Sequence, residues 1–310
     1  MPINVLFAAV SERWDQYQAP LTDAFAALDL DVTLATDLPP EHVDYIVYAP
    51  NSSVQDFTPF TRLRAVLNLW AGVEDVVGNQ TLTVPLTRMV DTGLTEGMVE
   101  WVTGHVMRHH LNIDHTLAHQ AGEWVRFEPP LARERRITIL GLGELGQACG
   151  AALAALNFQV TGWSRSPKSA PGIRCLHGAD GFAEALDGAD MVVLLLPDTP
   201  ATENILDAGA LAKLAPGAVV INPGRGPLID DTALLAALDA GHVSHATLDV
   251  FRVEPLPKDD PYWAHPKVTV CPHIASLTRA ETAARVIADN IARAEAGQPL
   301  KHLVNRDLGY

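Results

Sequence analysis

Three short segments in the second half of the 310-residue chain hold residue types that move protons and grip anions. Ile221-Asn222-Pro223-Gly224-Arg225-Gly226-Pro227 frames an arginine between glycines. A guanidinium placed there can reach a ligand with little crowding, hold a carboxylate through paired N–H groups and polarise a neighbouring carbonyl. Leu248-Asp249-Val250-Phe251-Arg252-Val253-Glu254-Pro255 supplies Glu254, and Val270-Cys271-Pro272-His273-Ile274-Ala275 supplies His273. Imidazole is a natural proton donor or acceptor near neutral pH. A carboxylate beside it orients the ring and favours its protonated form. Taken singly, each residue has an ordinary structural reading, as ion-pair partner, exposed acid or buried histidine. Together they suit the delivery of a proton to a carbonyl oxygen as that carbonyl is reduced.

A fourth segment, Arg136-Ile137-Thr138-Ile139-Leu140-Gly141-Leu142-Gly143-Glu144-Leu145-Gly146, is an apolar strand running into Gly-x-Gly-x-x-Gly. Gly141 would allow a tight turn, Gly143 a close approach of backbone to a pyrophosphate, and Gly146 the packing of the next helix on the strand. The helix start, with Glu144 and Leu145, would offer N–H groups and a positive dipole end to phosphate. About 20 residues further on, an NAD site carries an acidic residue for the ribose hydroxyls. Here Gly162-Trp163-Ser164-Arg165-Ser166-Pro167-Lys168 has no carboxylate. A guanidinium fork, two hydroxyls and a lysine predict NADPH, its 2′-phosphate held by Ser164, Arg165 and Ser166, with NADH bound more weakly.

These segments need a scaffold that gathers strand ends. Short buried strands are read at residues 4–10, 31–36, 45–48, 65–69 and 84–90, with a helix over 14–28. A long helix follows over 96–119, where Met98, Trp101, Val102, His105, Val106 and His109 recur at spacings of three and four. A second alternating unit runs from 136 to 274. Its strands are read at 137–140, 159–163, 191–196, 218–222, 246–250 and 268–271, with helices over 145–156, 211–214 and 234–238. A last helix spans 279–295. Alternating strands and helices predict an α/β fold of two doubly wound parallel sheets. In such sheets ligands bind outside the carboxyl ends of the strands, so the chemistry belongs to loops after late strands.

The net charge of −15 argues against a nucleic-acid or anionic-membrane partner. Cys149, Cys175 and Cys271 lack C-x-x-C spacing and read as free thiols in a reducing cytoplasm, with Cys149 on a helix and Cys271 in a strand. His105, His109, His115 and His119 share helical spacing but have no cysteine with them. They predict a solvated or interface helix rather than a metal site, and no metal is expected. Trp101 and Trp124 read as packing residues, within the fold or at a dimer interface. The first residues read as a strand rather than a signal peptide, and the apolar run 191–196 is strand-sized.

The glycine motif, Leu195-Leu196-Pro197-Asp198-Thr199, Asn222 with Arg225-Gly226, Asp249-Val250-Phe251 with Glu254-Pro255-Leu256-Pro257, and Pro272-His273-Ile274-Ala275 resemble the signature of the D-isomer-specific 2-hydroxyacid dehydrogenase family. The likeness spans nearly the whole chain and is most specific over 137–276. Trp163-Ser164-Arg165-Ser166, Arg88-Met89-Val90-Asp91, Met98-Val99-Glu100-Trp101 and Gly309-Tyr310 resemble its glyoxylate/hydroxypyruvate reductase A branch. The resemblance implies a Rossmann cofactor domain, 98–278, inserted in a flavodoxin-like substrate domain, 1–97, to which 279–310 return. It implies Arg225 on the substrate carboxylate and carbonyl, His273 as acid/base with Glu254 as partner, and Asp249 at the nicotinamide carboxamide. Leu196 and Pro197 would line the cofactor ribose, and Trp70, Ala71 and Gly72 would meet the substrate carboxylate.

The reaction implied is NADPH-dependent reduction of glyoxylate and hydroxypyruvate, with His273 supplying the proton. The assembly implied is a homodimer with the helix near Met98 at or near its interface. Tyr48 and Ala49 stand where this branch often carries a substrate-side tryptophan, and Glu74 where the family commonly has Asp. Tyr48 would then line the substrate pocket, and a bulkier 2-keto acid such as phenylpyruvate is the alternative substrate. A dinucleotide-sensing protein without catalysis is the non-enzyme alternative, opposed by the intact Arg225, Glu254 and His273.

Overall fold

The structure, a computed structural model, describes residues 2–310. The chain opens with β1 (Ile3–Ala8), α1 (Ser11–Ala26), β2 (Val32–Ala35), β3 (Tyr45–Tyr48), β4 (Ala65–Asn68), α2 (Glu74–Val77) and β5 (Leu86–Thr87). Next come α3 (Thr92–His110) and α4 (Ile113–Ala118), then β6 (Arg136–Leu140), α5 (Glu144–Ala155), β7 (Gln159–Ser164), β8 (Ile173–His177), α6 (Gly178–Leu186) and β9 (Met191–Leu194). It closes with α7 (Ala208–Leu211), β10 (Ala218–Asn222), α8 (Asp231–Asp239), β11 (Val243–Leu248), α9 (Pro261–Ala264), β12 (Val268–Val270) and α10 (Ala280–Glu295). Two compact units result. One runs to Leu94 and resumes over Leu277–Tyr310; the other is Thr95–Ser276.

The first unit holds a five-stranded parallel sheet in the order β2-β1-β3-β4-β5. Its strands are apolar on both faces because helices and loops cover both. Along β1, Val5 and Phe7 point to the side of Tyr17, Leu21 and Phe25 of α1 and Ile287 and Ile291 of α10. Leu6 and Ala8 point to the other, with Phe57, Val73, Val76 and Leu82. That is the two-residue period of a strand.

The second unit holds a seven-stranded parallel sheet in the order β12-β11-β10-β9-β6-β7-β8. On one face Val192, Leu194, Val220 and Leu248 meet Leu186, Leu211, Leu234 and Leu238. On the other, Ile137, Ile139, Val193 and Ile221 meet Met98, Val102 and Val106 of α3 and Cys149 and Leu153 of α5. Both sheets thus follow the predicted doubly wound pattern.

Several sequence expectations need correction. The strand expected over 84–90 shrinks to Leu86–Thr87. Pro85 has no N–H to give a ladder, and Arg88 and Met89 donate instead to the carbonyls of His302 and Trp70. The helix expected over 96–119 breaks after His110, where Asn112 turns to a φ of 51°. β8 and α6 were not anticipated. Cys271 lies one residue past β12, buried with Cys149, while Cys175 is half-buried in β8; all three are free thiols. Trp101 packs on the second unit's core and its ring lies 4.2 Å from that of His105. Trp124, expected to pack within the fold or at a dimer interface, is 93% exposed in the single chain.

His109 is not on a solvated face. Its Nε2 lies 2.9 Å from the Thr247 hydroxyl, and its ring centroid 4.9 Å from that of His245, whose Nε2 is 2.8 Å from Thr269 Oγ1. Burial first, then His245 and Arg108, pushes His109 down to about 3; burial, then Arg108, takes His245 to about 4. An unfolded histidine protonates near pH ~6.5, so between that value and the folded ones the unfolded chain binds more protons. Stability from this pair is therefore full above the unfolded value and drains away as pH falls through the window. His109→Gln, which bonds to Thr247 without titrating, is expected to flatten the fall of Tm between neutral and acid pH. An unchanged slope in thermal unfolding would show that other groups set it.

Candidate active site

All seven strands of the second sheet are parallel, so their carboxyl ends share one edge. The order in which successive strands are laid down reverses between β6 and β9, the position at which open α/β sheets take ligands. Gly141 follows β6 there with a φ of 111°. A Cβ on it would lie 2.4 Å from the Leu195 carbonyl oxygen, and its N–H donates to Trp163 O at 2.8 Å. A Cβ on Gly146 would come 1.8 Å from Gly141 O. Gly143 differs. No atom lies within 4 Å of a Cβ built on it, and it caps α5 without a side-chain hydrogen bond. The first turn of α5, with Glu144 and Leu145, thus adjoins open space at its positive end. This cradle fits the pyrophosphate of a dinucleotide.

At the end of β7, Ser164 is buried and its hydroxyl donates to Ser166 O at 2.9 Å. Expected as a phosphate ligand, it commits its proton to shaping the loop. Arg165, Ser166 and Lys168 are exposed. After β9, Leu196 is buried and Pro197 half-buried, and the Pro197 carbonyl accepts from Thr202 Oγ1 at 2.7 Å.

β10 ends in Asn222, whose side chain folds the following loop. Its Nδ2 donates to Arg225 O at 2.9 Å, and its Oδ1 accepts from Gly224 N–H at 3.0 Å. Arg225 is half-buried, with one terminal nitrogen donating to Gly224 O at 2.7 Å. A Cβ on Gly226 would lie 2.0 Å from the carbonyl carbon of Phe251 and 2.4 Å from Arg252 N. The loop after β10 therefore rests on the loop after β11, backbone against backbone.

Asp249, beyond β11, is 1% exposed. Its two carboxylate oxygens accept from Ile274 N–H at 2.8 Å and Ala275 N–H at 2.9 Å, and its carbonyl accepts from His273 N–H at 2.9 Å. Burial raises its carboxyl pKa above the ordinary carboxylate value, against the opposing pull of the two N–H donors. Asp249, expected at a cofactor carboxamide, is thus already engaged by its own chain, with one lone pair left on each oxygen. Those bonds hold His273 at a φ of 53°, in the left-handed region that side-chain-bearing residues rarely adopt. The turn brings His273 Nδ1 to 2.6 Å from Glu254 Oε2, while Glu254 Oε1 accepts from Phe251 N–H at 2.9 Å. With Nδ1 facing the carboxylate, Nε2 is left to exchange a proton with a ligand, and the side chain is 51% exposed.

Arg225, Glu254 and His273 thus stand beyond the ends of the neighbouring strands β10, β11 and β12. In the first unit, Trp70, Ala71 and Gly72 follow β4, and Asn68 Nδ2 donates to the carbonyls of Trp70 (3.1 Å) and Gly72 (2.9 Å). Tyr48, expected on a substrate pocket, is 1% exposed and packs edge-on to Phe57 at 5.4 Å, a core position. Ala49 is buried beside it, and Glu74 opens α2. Asn68 and Asn222 went unassigned from sequence. Their signal is a single asparagine closing an otherwise apolar strand, where its side chain folds the next loop.

Comparison with known proteins places the chain in a family. Residues 103–275 match the family model for the D-isomer specific 2-hydroxyacid dehydrogenase, NAD binding domain. The glyoxylate/hydroxypyruvate reductase A of Serratia proteamaculans is 41% identical over 257 residues, 80% of this chain and 82% of that protein. A D-isomer specific 2-hydroxyacid dehydrogenase from Xanthobacter autotrophicus Py2, solved with NADPH and MES, superposes with a TM-score of 0.93 at 39% identity, covering 100% of both chains. An NADPH-dependent glyoxylate/hydroxypyruvate reductase from Sinorhizobium meliloti, solved with NADP and sulfate, gives 0.87 at 34% identity, covering 100% of this chain and 99% of that one. The chain belongs to the D-isomer specific 2-hydroxyacid dehydrogenase family, and is an oxidoreductase of that class.

Gly226→Ala is expected to force the two loops apart and to cost at least about 1–3 kcal/mol of stability, the range for overpacked cores. Thermal unfolding checks this. A variant as stable as the parent would mean the loops can separate freely.

Proposed function

We propose that the protein reduces the small 2-keto acids glyoxylate and hydroxypyruvate to 2-hydroxy acids with NADPH. The observation that carries this reading is the 2.6 Å contact of His273 with Glu254 on the same sheet edge as the Arg225 loop and the glycine cradle. The second unit is the cofactor domain and the first the substrate domain. Gly141, Gly143 and Gly146, with the N–H groups of Glu144 and Leu145, would hold the pyrophosphate. Leu196 and Pro197 would lie along the ribose and Asp249 at the carboxamide. Arg165, Ser166 and Lys168 would receive the 2′-phosphate on the loop that Ser164 shapes. Bound NADPH would supply the hydride that the keto carbon takes up.

Arg225 grips the substrate carboxylate through its planar fork and draws electron density toward the carbonyl oxygen. His273, fixed at Nδ1 by Glu254, passes the proton from Nε2 to that oxygen. Glu254 steadies the ring's charge while the proton is held. The curated relatives named as glyoxylate/hydroxypyruvate reductases, and structural neighbours solved with NADPH or NADP, support the same reading. We further read the protein as a cytoplasmic homodimer. A second copy would cover the apolar arm that bears Trp124, Phe127 and Leu131, all exposed, and three free thiols suit a reducing compartment.

The test follows nicotinamide absorbance with glyoxylate, hydroxypyruvate, pyruvate and phenylpyruvate, each with NADPH and NADH. Fast NADPH oxidation by the two small acids is expected; higher efficiency on phenylpyruvate, or turnover with none, would overturn the assignment. Arg165→Ala should weaken NADPH by about 10-fold or more, as expected when a charged hydrogen-bond partner is removed, and leave NADH nearly unchanged. Equal weakening of both would place Arg165 elsewhere than the 2′-phosphate.

A further inference from the structure

Glu254 and Arg225 both sit on irregular loops, and neither strand end alone fixes their separation. The side chain of Arg252 lies where those loops meet. Its Nε donates to Asp231 Oδ2 at 3.1 Å, at the start of α8. One terminal nitrogen donates to Ile229 O at 2.6 Å, to Asn204 Oδ1 and, at longer range, to Pro227 O at 3.4 Å. The other lies 3.6 Å from Glu203 Oε1. One guanidinium therefore joins the segment after β9, the segment after β10 that carries Arg225, and its own loop, which carries Glu254. Asp231 is held from its other oxygen by the Tyr262 hydroxyl at 2.9 Å, and the Tyr262 ring is buried. The backbone of Arg252 also forms part of the Gly226 contact.

We infer that Arg252 is a positioning residue that sets the spacing between Arg225 and the Glu254–His273 pair. The inference rests on the reductase reading above. Its ion pairs are partly exposed, with 32% of the Arg252 side chain accessible, and exposed pairs alone contribute little. The bonds to the carbonyls of Ile229 and Pro227 are the part that ties one loop to the other. Making them together with the Nε bond to Asp231 needs a planar group whose donors sit on separate nitrogens and point in fixed directions. A lysine ammonium reaches one such acceptor set but not all of them at once.

The experiment compares Arg252→Ala and Arg252→Lys with the parent. It measures kcat and KM for the keto acid at saturating NADPH, the NADPH Kd by nicotinamide fluorescence, and amide hydrogen exchange across 222–230 and 250–257. Misplacement of the reacting groups is expected to lower kcat about 10- to 100-fold in the alanine variant. The NADPH Kd should stay within about twofold, since the glycine cradle is untouched. Both loops should exchange faster, and lysine should restore little of the rate. A brace with no positioning role would lower Tm and leave kcat and KM alone. Parent-like kcat and KM in both variants, or unchanged exchange in both loops, would overturn the inference. Should the parent reduce no keto acid at all, the reductase reading fails, and the exchange of the two loops still decides for or against Arg252.

Discussion

Backbone meets backbone at several points along the carboxyl edge of the second sheet, and each contact has room for hydrogen but not for a methyl group. Gly141 lies against the Leu195 carbonyl, Gly146 against Gly141, and Gly226 against Phe251 and Arg252. The first seats the glycine turn on the chain that follows β9, and the second brings the start of α5 against the end of β6, which sets a positive helix end beside the open backbone of Gly143. The third seats the Arg225 loop on the loop that carries Glu254. Without these approaches the sheet would still form, because its apolar faces are covered by helices on both sides. The groups at its edge would stand too far apart to share one ligand.

The second requirement is a set of buried polar bonds that aim the exposed groups. Asp249, almost wholly buried, accepts two backbone N–H groups from the turn that follows β12. An unmet buried N–H costs about 1–3 kcal/mol, so this carboxylate both satisfies the turn and selects its shape. The shape includes a left-handed His273, a conformation that persists only where surrounding bonds over-determine it. Glu254 then completes the arrangement by accepting from Phe251 N–H with one oxygen and facing the imidazole with the other. The same economy appears at Asn222 and Asn68, each folding a loop through its amide. Rigid strands end in polar side chains that turn the chain, and those turns present the chemistry.

The legible part of the fold was the part written in long apolar runs. β3 and β10 were read to the residue, and most other strands to within a residue or a few, because strands buried on both faces are continuous hydrophobic stretches. β8 was missed for the opposite reason. As an edge strand, Ile173-Arg174-Cys175-Leu176-His177 mixes polar and apolar residues, and the glycines of α6 hid the helix after it. The break in the long helix at Asn112 has no glycine or proline to announce it. The glycine motif and the Arg225, Glu254 and His273 segments were legible because strand-end chemistry needs particular residue types at particular spacings. Tyr48 was not, since its sequence neighbours say nothing of which sheet face it takes. Arg252 lay unassigned between two recognisable residues, because its partners come from segments 21 to 49 positions away.

In the function proposed above, the imidazole of His273, aimed by Glu254, delivers the proton in keto-acid reduction. Replacing it with glutamine keeps a polar side chain of similar reach but removes the transferable proton. Turnover of glyoxylate measured beside the NADPH Kd in His273→Gln separates chemistry from binding. A loss of turnover of about 100- to 10,000-fold is expected, with NADPH affinity near that of the parent. Turnover close to the parent's, or a loss of NADPH binding as large as the loss of rate, would contradict it.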